Sequence, residues 1–121
     1  MKFFKCNDCD DVVLQLFDSH AVGETCKANK TEITVGTVDA AYEKHVPHIT
    51  KEGDIIKVQI GEVEHPMIPE HYIVFVVAEK ENGFELINLK PGDRPYVEFD
   101  AEGVKAVYEF CNLHGIWKAE L

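Results

Sequence analysis

One hairpin signal constrains the fold of this chain more than any other feature of its sequence. The run Tyr72–Val77 is continuously apolar and rich in β-branched and aromatic residues, which is typical of a strand covered on both faces. Asn82 and Gly83 then separate it from a second run at 84–89. Asn-Gly between two such runs favours a tight hairpin, because both positions tolerate a positive φ. The sequence therefore predicts two adjacent antiparallel strands, the first of them buried.

Further strand patterns lie on both sides of this hairpin. Apolar residues cluster or alternate at 55–60, at 97–99, at 104–110 and, near the front, at Ile33, Val35 and Val38. Turn residues such as those at 91–93 separate the runs. About seven short strands with turns every 8 to 12 residues predict an all-β protein, an immunoglobulin-like antiparallel β-sandwich. No stretch keeps a helical period over three turns, so an α-rich fold is excluded.

Size and charge limit the classes of function. A chain of 121 residues is one ordinary domain with room for a small appendage. Its 12 Lys and Arg against 22 Asp and Glu give a net charge of −10, which repels phosphate backbones and anionic lipids. We therefore expect neither a nucleic acid nor a membrane as a partner. Lys2 and Lys5 interrupt the N-terminus before any apolar signal region, so we expect a cytoplasmic protein.

The cysteines near the N-terminus form an incomplete metal-binding pattern. Cys6 and Cys9 can present two thiolates from one tight turn, and Cys26 offers a third. A tetrahedral thiolate site needs four such ligands, and Lys27 follows Cys26 where a fourth could stand. The residues alone leave open a metal site, spare thiols on a small β element, or a disulfide between Cys6 and Cys9.

Four of the six histidines and one cysteine lie in predicted loops or at predicted strand ends. Prolines or glycines mark loops or strand ends close to them, and Cys111 precedes the last of them by three positions, in a spacing that suits a soft-to-borderline metal. Loops of a sandwich cluster at its two ends, so these side chains can converge. Five ligands exceed the four that zinc prefers, and four nitrogens with one axial sulfur suit iron better. The candidate ligands are His45, His65, His71, Cys111 and His114, whereas His20 and His48 are expected to be solvated.

Three separated motifs resemble the superoxide reductases, the family of desulfoferrodoxins and neelaredoxins. They are Glu43-Lys44-His45-Val46-Pro47, His65-Pro66-Met67 with His71-Tyr72-Ile73, and Cys111-Asn112-Leu113-His114-Gly115-Ile116-Trp117, and the likeness covers residues 31–121. The resemblance implies an immunoglobulin-like domain with one mononuclear iron. It implies four equatorial ligands, His45, His65, His71 and His114, and an axial Cys111. Glu43 would bind the sixth position in the oxidised state, and Lys44 would be the positive residue beside the open site.

Residues 1–30 resemble the small desulforedoxin-like domain that precedes the iron domain in desulfoferrodoxins. That domain holds a second iron in four cysteines, and here Cys6, Cys9 and Cys26 match three of them. Lys27 replaces the fourth, so we expect no second iron. A further departure is His48, where the family usually has an aliphatic residue, and we interpret it as a bystander near the site.

The resemblance implies an enzyme that reduces superoxide by one electron to hydrogen peroxide. Superoxide is then the substrate, a small redox protein such as rubredoxin the electron donor, and a homodimer or higher homo-oligomer the assembly. The alternatives are a non-enzymatic iron-binding electron-transfer protein, a structural sandwich with zinc on its histidines, and simple dismutation. Lys44 beside Glu43 argues against a pure carrier, because a carrier needs no positively lined coordination position.

Overall fold

The structure is a computed structural model that describes residues 1–16, 29–37 and 45–121. In these ranges the regular elements are ten β-strands and no helix, and all neighbouring strands pair antiparallel. None of the described elements is a helix with the length and apolarity to cross a membrane. The chain divides into two compact units, Met1–Thr34 and Val35–Leu121. The predicted all-β antiparallel fold is confirmed.

The N-terminal unit contains one three-stranded sheet in the order β2-β1-β3. Its strands are β1 (Lys2–Cys6), β2 (Val12–Gln15) and β3 (Lys30–Glu32). The central strand carries Phe3 and Phe4, which are both buried. These two rings supply the apolar burial that holds such a small sheet together.

The second unit contains the two sheets of the predicted sandwich. Its strands are β4 (Pro47–Glu52), β5 (Ile55–Ile60), β6 (Ile73–Lys80), β7 (Gly83–Asn88), β8 (Tyr96–Asp100), β9 (Val104–Cys111) and β10 (Gly115–Glu120). One sheet has the order β10-β9-β6-β7, and the other has the order β4-β5-β8. The buried residues of β5 and β8 pack with those of β6 and β9 in one cluster, so the core lies between the sheets.

The hairpin that the sequence predicts is the β6–β7 pair. Its register joins Lys80 to Gly83 around the two-residue turn and Val77 to Leu86 further along. Strand β6 is buried over most of its length because it lies between β9 and β7, as its continuous apolar run predicts. Strand β7 is the sheet edge and is mostly exposed.

The strand that Ile33, Val35 and Val38 suggest is not formed in the described residues. Strand β3 ends at Glu32, and Val38 lies outside the described ranges. Instead, the Ile33 amide donates to the carbonyl of Phe3 at 2.8 Å. Gly36 forms only an isolated parallel bridge with Trp117. The segment therefore continues the β1–β3 pairing at Ile33 and then pairs with β10 only at Gly36, through two backbone hydrogen bonds to Ile116 and Lys118, which is too short for a strand.

Strands β4 and β10 were not predicted. In β4 only Pro47 is buried, and most of its other residues are exposed, so its sequence has no apolar alternation. In β10 only Ile116 is buried, although the strand pairs with β9 along its whole length. Both are outer strands of their sheets, a position in which a strand can form from polar residues as well as from apolar ones.

Candidate metal centre

Five side chains converge at one end of the second unit. Each offers one ligand atom, a ring nitrogen or a sulfur, and these atoms all lie within 4.8 Å of one another. Within residues 1–16, 29–37 and 45–121 this is the one group of three or more potential metal ligands. Its members come from the segment before β4, the β5–β6 loop, the end of β9 and the β9–β10 turn, and they are His45, His65, His71, Cys111 and His114.

The four imidazoles form a closed ring of neighbours. The ring centroids of His45 and His65 are 4.9 Å apart, and those of His65 and His71 are 4.6 Å apart. The ring closes through His71 to His114 at 5.0 Å and through His114 to His45 at 4.9 Å. The interplanar angles of 59° to 82° are steep throughout. Four rings around one centre can present four nitrogens in an approximate plane.

The distances between ligand atoms match ligands that share one metal ion. His45 Nε2 lies 3.1 Å from His114 Nδ1, and Cys111 Sγ lies 3.6 Å from the same nitrogen. Two nitrogens at right angles, each about 2.1 Å from a metal, are about 3 Å apart. Four nitrogens and one sulfur form a donor set of intermediate softness with one ligand more than tetrahedral zinc uses. The residues therefore fit a mononuclear iron.

Cys111 is the deepest member of the group. It is the last residue of β9, it is fully buried, and it belongs to the apolar core cluster. Its cross-strand neighbours are Ile73 on β6 and Gly115 on β10. Gly115 has a φ of 83°, which favours glycine, and it closes the turn that begins at Cys111. The turn brings His114, which is exposed, back beside the sulfur.

The β5–β6 loop fixes the orientation of His65 and His71. The Nδ1 of His65 lies 2.8 Å from the carbonyl oxygen of Pro66, which can only accept, so Nδ1 carries the proton. This tautomer makes Nε2 the ring nitrogen suited to a metal. Ile68 and His71 exchange backbone hydrogen bonds of 3.1 Å and 3.0 Å across a tight turn. That turn holds the His71 backbone relative to His65.

Asn112 connects the two segments that carry ligands. Its Oδ1 accepts from the backbone amide of Tyr72 at 2.9 Å, and its Nδ2 donates to the carbonyl of Glu70 at 3.1 Å. Its own amide donates to the Tyr72 carbonyl at 3.2 Å. These three bonds bracket His71 and tie it to the residue that follows Cys111. This role of Asn112 was not predicted from the sequence, although Asn112 stands inside a ligand motif.

Trp117 supports two other ligands. Its ring is stacked on His45 with centroids 4.9 Å apart and an interplanar angle of 15°. Its Nε1 donates to the carbonyl of His114 at 3.1 Å. Gly36 lies against the same ring, where an added Cβ would come within 2.5 Å of Cε3. Gly36 and Trp117 were also missed as positioning residues, because their contact joins distant parts of the chain.

The other candidate residues have different outcomes. Glu43, Lys44, Cys26 and His20 lie outside the described residues. His48 is exposed on β4 and does not belong to the ligand group, in agreement with its interpretation as a bystander.

Comparison with known proteins identifies the family. The family model of desulfoferrodoxin matches residues 37–120, which include every member of the ligand group. The chain belongs to the desulfoferrodoxin family. The chain shares 41% identity with a desulfoferrodoxin of Clostridium acetobutylicum over 107 residues, 88% of this chain and 86% of that protein.

Two further similarities concern proteins that are named superoxide reductase. A superoxide reductase of Pyrococcus abyssi is 32% identical over 108 residues, covering 73% of this chain and 94% of that protein. The crystal structure of the superoxide reductase from Treponema pallidum matches with a TM-score of 0.77 and 34% identity, covering 98% of this chain and 97% of that chain. The family and the donor set together indicate that this protein binds one mononuclear non-haem iron.

Proposed function

We propose that this protein is a superoxide reductase, which reduces superoxide by one electron and, with two protons, releases hydrogen peroxide. The observation that carries the proposal is the group of four imidazoles and one thiolate with an exposed histidine at its rim. The similar proteins of Pyrococcus abyssi and Treponema pallidum, both named superoxide reductase, support the same reaction.

We assign His45, His65, His71, His114 and Cys111 as the residues that would hold the iron. Iron held there would supply the electron by alternating between its ferrous and ferric states. Four neutral imidazoles and one thiolate leave a net charge of +1 on the ferrous site, which attracts an anion. The burial of Cys111 in the core excludes water from the sulfur, whereas the exposure of His114 favours access for a small anion at the rim of the ligand group.

We assign Glu43 and Lys44 to the control of the open position. Both immediately precede His45, which belongs to the ligand group, and this proximity in sequence supports a place near the iron. The carboxylate of Glu43 offsets the additional positive charge of the ferric state. The ammonium group of Lys44 offsets the net charge of −10, which repels superoxide at long range.

The alternative is an iron-binding electron-transfer protein with the same ligands. Such a carrier needs electron access but no anion binding, so Lys44 would then have no effect on its kinetics. We favour the enzyme because ferrous iron held by these five ligands would carry a net charge of +1, and the group has an exposed member, His114, where an anion could approach. Consumption of one equivalent of external reductant for each superoxide distinguishes reduction from dismutation.

The partners and the compartment follow from this reaction. A small redox protein such as rubredoxin would return the electron, and we propose direct entry at the catalytic iron because we expect no second iron at Cys6, Cys9 and Cys26. We further propose a homodimer or higher homo-oligomer in the cytoplasm.

A pulse experiment on iron-loaded protein tests the function. Metal analysis should find one iron per chain, and stopped-flow mixing of the ferrous protein with superoxide should oxidise it with release of one peroxide. His71→Ala should lose iron or rapid oxidation, whereas the matched variant His48→Ala should keep both. A protein that binds iron stoichiometrically but does not react with superoxide would leave the electron-transfer alternative. Equal losses in the two variants would contradict the ligand assignment.

A further inference from the structure

Cys6 and Cys9 lie at the two ends of a tight turn in the N-terminal unit. Cys6 is the last residue of β1, and its amide donates to the carbonyl of Asp11 at 2.9 Å, which closes a loop around the Cys-x-x-Cys segment. The amide of Asn7 donates to the carbonyl of Asn29 at 2.9 Å. The first bond closes the turn, and the second connects the turn to the residue before β3. The backbone therefore constrains the separation of the two cysteines.

The two thiols contact each other and are accessible. A side-chain hydrogen bond joins Cys6 and Cys9, and it is the main cause that lowers the pKa of Cys6 and raises the pKa of Cys9. Cys6 is half-buried and Cys9 is exposed. A sulfur pair already in hydrogen-bond contact can reach disulfide geometry by side-chain rotation. The pair thus has one thiol favoured as a thiolate and one retained as a thiol.

A metal is a weaker explanation for this pair. Two sulfurs cannot complete a tetrahedral thiolate site, which needs four ligands. In the described part of the chain, the one group of three or more potential ligands is that of the second unit. The sequence has Lys27, which is not a thiolate, directly after Cys26.

We propose that Cys6 and Cys9 form a reversible dithiol–disulfide site that hydrogen peroxide oxidises. The site is separate from the iron ligands and uses only residues of the N-terminal unit. The supply of the oxidant rests on the proposed function, because hydrogen peroxide is the product of superoxide reduction.

The reaction balances in two steps. The Cys6 thiolate attacks one peroxide oxygen, the O–O bond breaks, and after protonation one water leaves, which gives a sulfenic acid on Cys6. The Cys9 sulfur then attacks the Cys6 sulfur, the S–O bond breaks, an S–S bond forms, and the second water leaves. In sum, two thiols and one peroxide give one disulfide and two waters, with two electrons passing from sulfur to oxygen. A small dithiol reductant reverses the change.

The acidic residues beside Cys6 and Cys9 favour neutral reactants over anionic ones. The exposed carboxylates Asp8, Asp10 and Asp11 stand beside the two cysteines. The charge of Asp11 opposes thiolate formation, so the hydrogen bond between the thiols is what favours Cys6 as the reactive sulfur. The same charges repel anions such as superoxide and glutathione, whereas hydrogen peroxide is neutral.

Thiol mapping of the full-length, iron-loaded protein tests the proposal. The protein is reduced, its iron is set to the ferric state, and hydrogen peroxide is added, followed by alkylation and peptide mass analysis. We expect an intramolecular disulfide between Cys6 and Cys9. Cys9→Ser should stop at a sulfenic acid on Cys6 that dimedone traps, and Cys6→Ser should react about tenfold more slowly at Cys9. The neutral reductant dithiothreitol should reopen the disulfide faster than glutathione does.

Cys26→Ser is the matched control and should still form the disulfide. The proposal is overturned if Cys6 and Cys9 stay reduced, if either pairs with Cys26 instead, or if a co-purified metal holds both sulfurs. Added peroxide bypasses superoxide reduction, so this result is independent of the proposed function. A failure of that function would appear separately, as superoxide treatment of the same protein without release of peroxide.

Discussion

The Oδ1 of Asn112 accepts a hydrogen bond of 2.9 Å from the backbone amide of Tyr72, and each of these two residues stands directly beside a ligand. Asn112 follows Cys111, and Tyr72 follows His71. The hydrogen bond therefore joins the backbone of the thiolate segment to the backbone of an imidazole segment. The bond from Nδ2 to the carbonyl of Glu70, on the other side of His71, completes the connection.

Asn112→Ala should weaken iron binding without removing a ligand. Loss of the support around His71 should lower iron affinity about 10- to 100-fold, the usual effect of removing a group that orients a metal ligand. Loss of two exposed hydrogen bonds should lower the free energy of unfolding by about 1 kcal/mol. Chelator competition measures the affinity, and urea denaturation of the iron-free protein measures the stability.

Two variants control this prediction. Asn112→Asp keeps an acceptor for the Tyr72 amide but loses the donor to Glu70, so its iron affinity should be intermediate. Asn88→Ala, at the exposed end of β7, should leave iron affinity unchanged. An unaltered affinity in Asn112→Ala would show that the ligand loop holds its geometry by itself.

Gly36→Ala should disturb the centre through Trp117. The added Cβ would lie within 2.5 Å of Cε3 of the Trp117 ring, so that ring must shift, and His45 is stacked on it. We expect a loss of about 1 to 3 kcal/mol in unfolding free energy and weaker iron binding. Trp117 is the sole tryptophan of the chain, so its fluorescence reports the displacement directly.

Gly83→Ala provides the comparison for Gly36→Ala in fluorescence and iron content, because no atom lies within 4 Å of the added Cβ there and the strain at its φ of 159° falls on the β6–β7 hairpin. It should leave the fluorescence and the iron content unchanged. If Gly36→Ala also left both unchanged, the contact between Gly36 and Trp117 would have no part in positioning His45.

Glu43→Ala should alter the ferric resting state but leave the rate of superoxide capture mostly unchanged. The carboxylate is expected to bind after electron transfer, so the rate of reaction with superoxide should be mostly retained. The thiolate-to-iron absorption band of the oxidised protein should no longer show the shift that carboxylate binding causes. Glu43→Gln, which keeps the size and loses the charge, should behave like the alanine variant. A collapse of the bimolecular rate would instead assign Glu43 to superoxide capture.

Lys44→Ala should slow the capture of superoxide by about 10- to 100-fold. One unit charge about 6 Å from the anion, at an effective dielectric constant of about 20, contributes roughly 2 to 3 kcal/mol before screening. The dependence of the rate on ionic strength should weaken in the variant. Stopped-flow measurements at several salt concentrations test both effects. Lys44→Arg should retain the rate. Lys51→Ala, which removes an exposed positive charge elsewhere, is the control and should also retain it. Unchanged kinetics in Lys44→Ala would make Lys44 an ordinary surface lysine.

The sequence predicted those parts of the fold whose signal is local. The apolar run of β6 and the turn signal at Asn82-Gly83 predict a buried strand and a hairpin by themselves, and both are present. The two turn residues are Glu81 and Asn82, one position earlier than predicted, because Gly83 already pairs with Lys80. Strands β4 and β10 were missed because an outer strand needs little apolar alternation and gains its hydrogen bonds from a distant partner. The expected strand at Ile33 and Val35 was wrong because this segment pairs at only two separate points, Ile33 with β1 and Gly36 with β10, and apolar residues form a strand only where the pairing continues.

The sequence by itself determined which donors are present: histidines in loops, a cysteine at the end of an alternating strand, and an N-terminal cysteine pattern that lacks its fourth member. Only the tertiary structure decided that five of these donors meet within 4.8 Å, and that Asn112, Trp117 and Gly36 hold them. The identity of a donor is a property of one residue, whereas its position depends on how β6, β9 and β10 pair and on the turns that leave them.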